Sequence, residues 1–168
     1  MKKYSGFTLL ELLIVVGMVG LLMAFGIPAM STFAKNDRLS TQINTLVGHL
    51  AYARSEAVTR SQQVALCPSD TMNSCSNVPW SEGWILYVDA NGDSLFKAGE
   101  EILRVKQPLS GNNTLTSTFA TMFVYDSSGF SVSGTGTFSL CDDRGATNMK
   151  SISISNTGRV RQGGGAAC

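Results

Sequence analysis

From Phe7 to Ile27 the chain is almost uniformly apolar, and Glu11 carries the only charge in the run. At about 1.5 Å rise per residue such a segment spans roughly 31 Å as a helix, the thickness of a bilayer's hydrocarbon core. From Ser31 to Ser61 the pattern changes. Leu39, Ile43, Leu46, Val47, Leu50, Ala53, Ala57 and Val58 recur at three- and four-residue steps, with Lys35, Arg38, Arg54, Glu56 and Arg60 between them. That spacing predicts an amphipathic helix with one face for a core. The two segments read as one long helix, bent at Pro28, where a backbone donor is lost and the preceding turn is crowded.

Beyond Ser61 the period shortens. Gln63–Cys67, Trp84–Val88, Glu101–Val105, Phe119–Tyr125, Phe130–Val132, Thr137–Cys141 and Ser151–Ser155 are short runs rich in β-formers, divided by turn residues. They predict an antiparallel sheet packed on the upper half of the helix, an α+β fold. About 140 residues follow the apolar run, enough for one compact domain with its own core.

Glu11 is the position that hydrophobicity alone does not explain. A carboxylate at the centre of a membrane helix costs about 2.5–3.5 kcal/mol, less near its end, so a partner charge is expected for it. Lys2, Lys3, Gly6-Phe7-Thr8-Leu9, the acid and the uninterrupted apolar run together resemble the leader and first helix of type IV pilins and type II secretion pseudopilins. The resemblance implies a leader over residues 1–6 that a prepilin peptidase removes after Gly6, and N-methylation of Phe7. It also implies an assembly helix over 7–30 and a pilin domain over 31–168. Glu11 then pairs with the N-terminal amine of a neighbouring subunit and sets the axial register of one helix against the next. Lys2 and Lys3 hold the leader in the cytoplasm, which places the domain in the periplasm before assembly and in the filament afterwards. Pro28 matches a proline common in type IV pilins.

Leu50-Ala-Tyr-Ala-Arg-Ser-Glu-Ala-Val58, Val64-Ala-Leu-Cys-Pro68 and Gly83-Trp-Ile-Leu-Tyr-Val-Asp-Ala-Asn91 resemble the GspH/FimT group of minor pilins and pseudopilins. That likeness implies a minor subunit whose partners are other major and minor pilins, the peptidase and the inner membrane, with no small-molecule substrate and no cofactor.

Four cysteines suit an oxidising compartment and allow three pairings. Cys67–Cys75 with Cys141–Cys168 is favoured, because the first closes a loop directly after a strand and the second tethers the C-terminus. Without a CxxC pair, and with the only histidine on a helix, zinc is disfavoured. Asp89-Ala-Asn-Gly-Asp93 with Glu100 has some of the spacing of a calcium loop, but its glycine is misplaced, and a hairpin turn is preferred. His49 has no nucleophile or paired carboxylate beside it and is assigned no role. The chain does not read as an enzyme.

Whole-chain charge is +1, and removing residues 1–6 takes two lysines and no acid, leaving +1 − 2 = −1. Any attraction to nucleic acid must therefore be local. The stretch 144–168 provides it: Arg144, Lys150, Arg159 and Arg161, with no acid among them. In an extended chain Arg159 and Arg161 share a face, and two planar guanidiniums suit bidentate capture of phosphates. Gly158-Arg-Val-Arg161 resembles the Gly-Arg-x-Arg of FimT-type minor pilins associated with DNA uptake in natural transformation. The resulting expectation is a minor pilin at or near a pilus tip, binding double-stranded DNA without sequence preference through Arg159 and Arg161, helped by Arg144, Lys150 and Gly158. Two alternatives use the same leader and helix: a structural H-type pseudopilin of a type II secretion system, and a pilus-priming subunit that never touches DNA.

Overall fold

The computed structural model describes residues 6–119, 121–164 and 168; the side chains of residues 25–29 lie outside that description, and with them the expected bend at Pro28. Helix α1 runs Leu9–Arg60 and is followed by eight strands. The chain divides into two compact units, residues 1–37 and 38–168.

In the first unit α1 starts where Thr8 caps it: the Glu11 backbone N–H donates to the Thr8 hydroxyl at 3.3 Å. This is half of a capping box, and Glu11 in the first turn also suits the positive end of the helix dipole. Leu9, Leu10, Leu13, Val16, Leu21 and Leu22 are all largely exposed. Among the described residues no helix is long and apolar enough to cross a membrane.

In the second unit Leu39, Ile43, Leu46, Leu50, Ala53 and Ala57 form the buried stripe of α1, none more than 4% exposed. Val58, expected in that stripe, faces solvent instead. The stripe packs on two four-stranded antiparallel sheets, where the sequence pattern suggested one. The first has order β3-β2-β1-β5, from Gln63–Pro68 (β1), Trp84–Asp89 (β2), Ile102–Lys106 (β3) and Phe123–Tyr125 (β5). The second has order β4-β6-β7-β8, from Thr114–Ser117 (β4), Gly136–Cys141 (β6), Lys150–Ile154 (β7) and Val160–Gln162 (β8). The run 119–125 is strand only at its end, and 130–132 contributes a single bridge, Tyr125 to Ser131.

Alternation decides what each face does. Val64, Leu66, Trp84, Leu86, Phe123 and Tyr125 of the first sheet join Leu115, Phe138, Leu140, Ile152 and Ile154 of the second in one core beneath α1. Trp80 and Phe119 meet Phe138 edge-on or tilted, with centroids 5.0 and 5.4 Å away, filling the space where the sheets meet. Strands β1 and β2 are buried on both faces. Their far side, with Ala65, Cys67, Ile85 and Tyr87, forms a second cluster with Cys75, Phe96 and Ile102. That double burial explains runs such as Trp84–Val88 that are continuously apolar rather than alternating.

Disulfides join Cys67 to Cys75 and Cys141 to Cys168, the favoured pairing, with Cα separations of 5.6 and 5.9 Å. The 89–100 segment closes on itself as a hairpin loop. Asp89, 1% exposed, accepts the backbone N–H groups of Gly92 and Ser94, each at 2.8 Å, and Asp93 pairs with Lys97. His49 does have a structural role. Its Nδ1 accepts the indole N–H of fully buried Trp84 at 3.0 Å, and burial, with Arg104 and Lys106 nearby, holds its pKa below the usual imidazole value.

Candidate nucleic-acid interface

Strand β8 is an edge strand, and the turn that delivers it is built on Gly158. Gly158 N–H donates to Ser155 O at 2.8 Å and Ser155 N–H donates to Arg159 O at 3.1 Å, leaving Asn156-Thr157-Gly158 as a three-residue hairpin loop. Gly158 has φ +73°, the left-handed conformation that such a loop requires at its last position. A second constraint acts on the same residue: a Cβ there would collide with the Gly129 carbonyl and lie 2.8 Å from the Tyr125 ring. The Tyr125 hydroxyl donates to Gly158 O at 3.2 Å, and burial pushes that phenol's pKa upward. The glycine of the Gly-Arg-x-Arg motif is thus a backbone device that aims the arginines.

Register then fixes what they face. Ser153 pairs with Arg161 and with Thr137, so Thr137, Ser153 and Arg161 form one row on the outer face of the second sheet. Val160, between the arginines, points the other way and packs against the core. Arg159 and Arg161 are exposed, and among the described residues neither has a carboxylate partner. They border a groove of about 540 Å³ whose other walls include Thr135, Thr137, Ser153, Ser155 and Thr157. Guanidiniums beside a bed of hydroxyls are the donor set that contacts phosphate and sugar in DNA complexes.

The two cationic helpers expected beside Gly158 stand elsewhere. Arg144 is committed to Asp142, through Nε at 2.9 Å and Nη2 at 2.6 Å, in a pair where the acid is 3% and the arginine 19% exposed. The acid lies two residues before the stretch whose lack of acids made it look uniformly basic. Lys150 pairs with Leu140 and has the parity of Ile152 and Ile154, which places it on the helix side of the sheet. There it borders a separate groove with Ser40, Ile43 and Asn44.

Sequence reasoning missed a third cation. Arg54, on the helix, donates from Nε to Gly129 O and from Nη2 to Thr157 O, each at 2.9 Å, and so grips the hairpin loop from below. These bonds span 75 and 103 residues of chain, so no local pattern announces them. The hydroxyl row had a signal, the alternation Ser151, Ser153, Ser155. So did the Thr8 cap, in the Thr-x-x-Glu spacing of the capping box.

At the other end of the chain Gly6 and Phe7 precede the helix in exposed, non-helical backbone. Residues 1–5 of the expected leader lie outside the described residues. Residues 1–27 match the model of the prokaryotic N-terminal methylation motif. Residues 42–158, well over half of the chain, match the family model of the type II transport protein GspH. The chain belongs to the GspH family. The match ends at Gly158, so Arg159 and Arg161 lie beyond what the family model covers.

Two solved structures share the GspH-family fold seen here. The type IV minor pilin FimU of Pseudomonas aeruginosa superposes with a TM-score of 0.61 at 20% identity, over 81% of this chain and 96% of that one. The minor pseudopilin EpsH of the Vibrio cholerae type 2 secretion system gives 0.53 at 11% identity, over 74% and 95%. A 47-residue stretch is 40% identical to the prepilin peptidase-dependent protein D of Escherichia coli K12, spanning 28% of this chain and 32% of that relative. At this level the chain is a GspH-family protein of α+β architecture that shares the fold of a minor pilin and a minor pseudopilin.

Proposed function

We propose that this chain is a minor pilin that captures double-stranded DNA for uptake, through phosphate contacts from Arg159 and Arg161. The observation that supports it most is the β7–β8 hairpin, which presents two exposed guanidiniums, with no carboxylate partner among the described residues, beside a bed of hydroxyls. Binding is sequence-independent, because the groove offers donors for phosphates and nothing shaped to read base edges. It is weak, in the micromolar range of non-specific contacts, which suits a filament that needs only transient capture of a polymer with many equivalent sites.

Assembly supplies the rest of this reading. Gly6–Phe7 is the cleavage site and Phe7 the methylated terminus, with Glu11 pairing to a neighbour's amine. The exposed apolar face of the first unit is covered by the inner membrane before assembly and by other pilin helices afterwards, since an apolar surface of that extent does not stay in water. The test is a gel shift of mixed-sequence duplex DNA with the full chain in detergent, beside transformation assays in cells. Arg159→Gln with Arg161→Gln abolishes both while pilus number stays unchanged. A double variant that still shifts DNA, or a parent chain that never does, returns the protein to a structural role in a pilus or a type II secretion system.

A further inference from the structure

We infer that the phosphate track does not stop at the outer face of the second sheet but crosses the β7–β8 hairpin onto the helix, where Arg54 is its third cation. This extends the DNA-binding reading and rests on it. Arg159 borders two grooves, one on each side of the hairpin: the hydroxyl-lined one shared with Arg161, and a second of about 630 Å³ shared with Arg54. The hairpin is therefore a ridge with a guanidinium at its crest and one on either flank.

Arg54 is held at that position by carbonyls and not by an acid. Its two bonds go to carbonyl oxygens, which carry only partial charge, and among the described residues no carboxylate pairs with it. A guanidinium has five N–H donors, so three remain for an anion. The neighbouring acids are engaged elsewhere. Asp126 accepts the backbone N–H groups of Ser128 and Phe130 at 2.8 and 2.9 Å, and Glu56 pairs with Arg60. Ser55, Thr59 and Ser128 add hydroxyls to the walls of the second groove, which has no carboxylate among its lining residues. The same arginine thus fixes the loop carrying Arg159 and extends the positive path beyond it.

Salt dependence separates these two parts of its role. Each phosphate contact contributes roughly −0.9 to the slope of log K against log salt. Fluorescence anisotropy of a labelled mixed-sequence duplex, titrated with the full chain in detergent between 50 and 200 mM salt, therefore gives a slope of roughly −2.7 for three cations. Arg54→Gln brings it to roughly −1.8 and weakens binding several-fold at the low-salt end. Arg54→Lys keeps the charge but not the two-armed grip, and it retains the parent slope. If both variants weaken binding with the slope unchanged, Arg54 only positions the hairpin and the inference is wrong. It is equally wrong if Arg54→Gln binds DNA like the parent, including the case where that variant loses filament incorporation because a neighbouring pilin occupies the groove. A parent chain that binds no duplex overturns the DNA reading itself, and the track with it.

Discussion

Gly158→Ala is the most discriminating single substitution in this chain, because two independent costs meet at one methyl group. The residue sits at φ +73°, where an L side chain pays about 1–2 kcal/mol. The added Cβ also runs into the Gly129 carbonyl and the Tyr125 ring. Neither is a flexible side-chain end, so the hairpin must move. Moving it strains the Tyr125 hydroxyl bond to Gly158 O and the two Arg54 bonds to Thr157 and Gly129, each worth about 1 kcal/mol net. A total of about 2–4 kcal/mol follows. Gly145→Ala is the matched control: φ is +75° there and a Cβ meets nothing within 4 Å, so backbone strain acts alone. Urea unfolding of a soluble chain beginning at Phe33, followed by the fluorescence of the buried Trp80 and Trp84, measures both. The same two proteins titrated with duplex DNA show whether the motif's glycine acts through the aim of its arginines. Equal destabilisation of the two variants, with DNA affinity kept in Gly158→Ala, would refute the packing explanation of the Gly-Arg-x-Arg glycine.

Glu11→Leu leaves leader cleavage intact and impairs incorporation into filaments, scored by mobility shift and by immunoblot of sheared pili; normal incorporation counts against its register role. Cys168→Ser, which opens the 27-residue loop to Cys141, lowers stability by roughly 3.6 kcal/mol in the chain-entropy model, and non-reducing digestion with mass spectrometry of the parent shows a Cys141–Cys168 peptide. His49 gives a pH signature. Its folded pKa lies below the unfolded value, so the unfolded chain binds more protons and stability falls as pH drops from 7 through about 6.5 toward the folded value. His49→Gln, which has no charge to gain, flattens that slope in unfolding curves collected between pH 7 and 5.

The helix was legible because its signals are local and redundant: an apolar run, then a stripe from Leu39 to Ala57 with three- and four-residue steps. Most strands were legible for the same reason. The division into two sheets was not, since alternation says which residues share a face and nothing about which strands pair. Strand β8 was hidden by its brevity, and β4 by Thr114-Leu-Thr-Ser117, in which three of four residues are polar. At the candidate site the motif itself pointed to Arg159 and Arg161, and the structure gives them a common face. Counting charge along the chain failed for Arg144 and Lys150. Charges add only where they share a surface, and an acid just outside the window can neutralise a cation inside it.

Apart from Gly158 itself, the residues that hold the hairpin beneath Arg159 belong to the scaffold of the domain rather than to the motif. Tyr125 lies on the edge strand of the first sheet, Gly129 in the loop after it, Thr157 in the hairpin of the second, and Arg54 on the helix between them. The hairpin therefore joins all three layers, and its carbonyls are shared out among side chains from each. A scaffold of this kind can hold a short edge strand rigidly while leaving its outer side chains unconstrained by packing, as the exposure of Arg159 and Arg161 beside buried Gly158 shows. Substitutions at those outward positions change what the surface binds at almost no cost in stability. On that physical ground the proposed DNA contact rests on very few residues, and the GspH-family match ends where those residues begin.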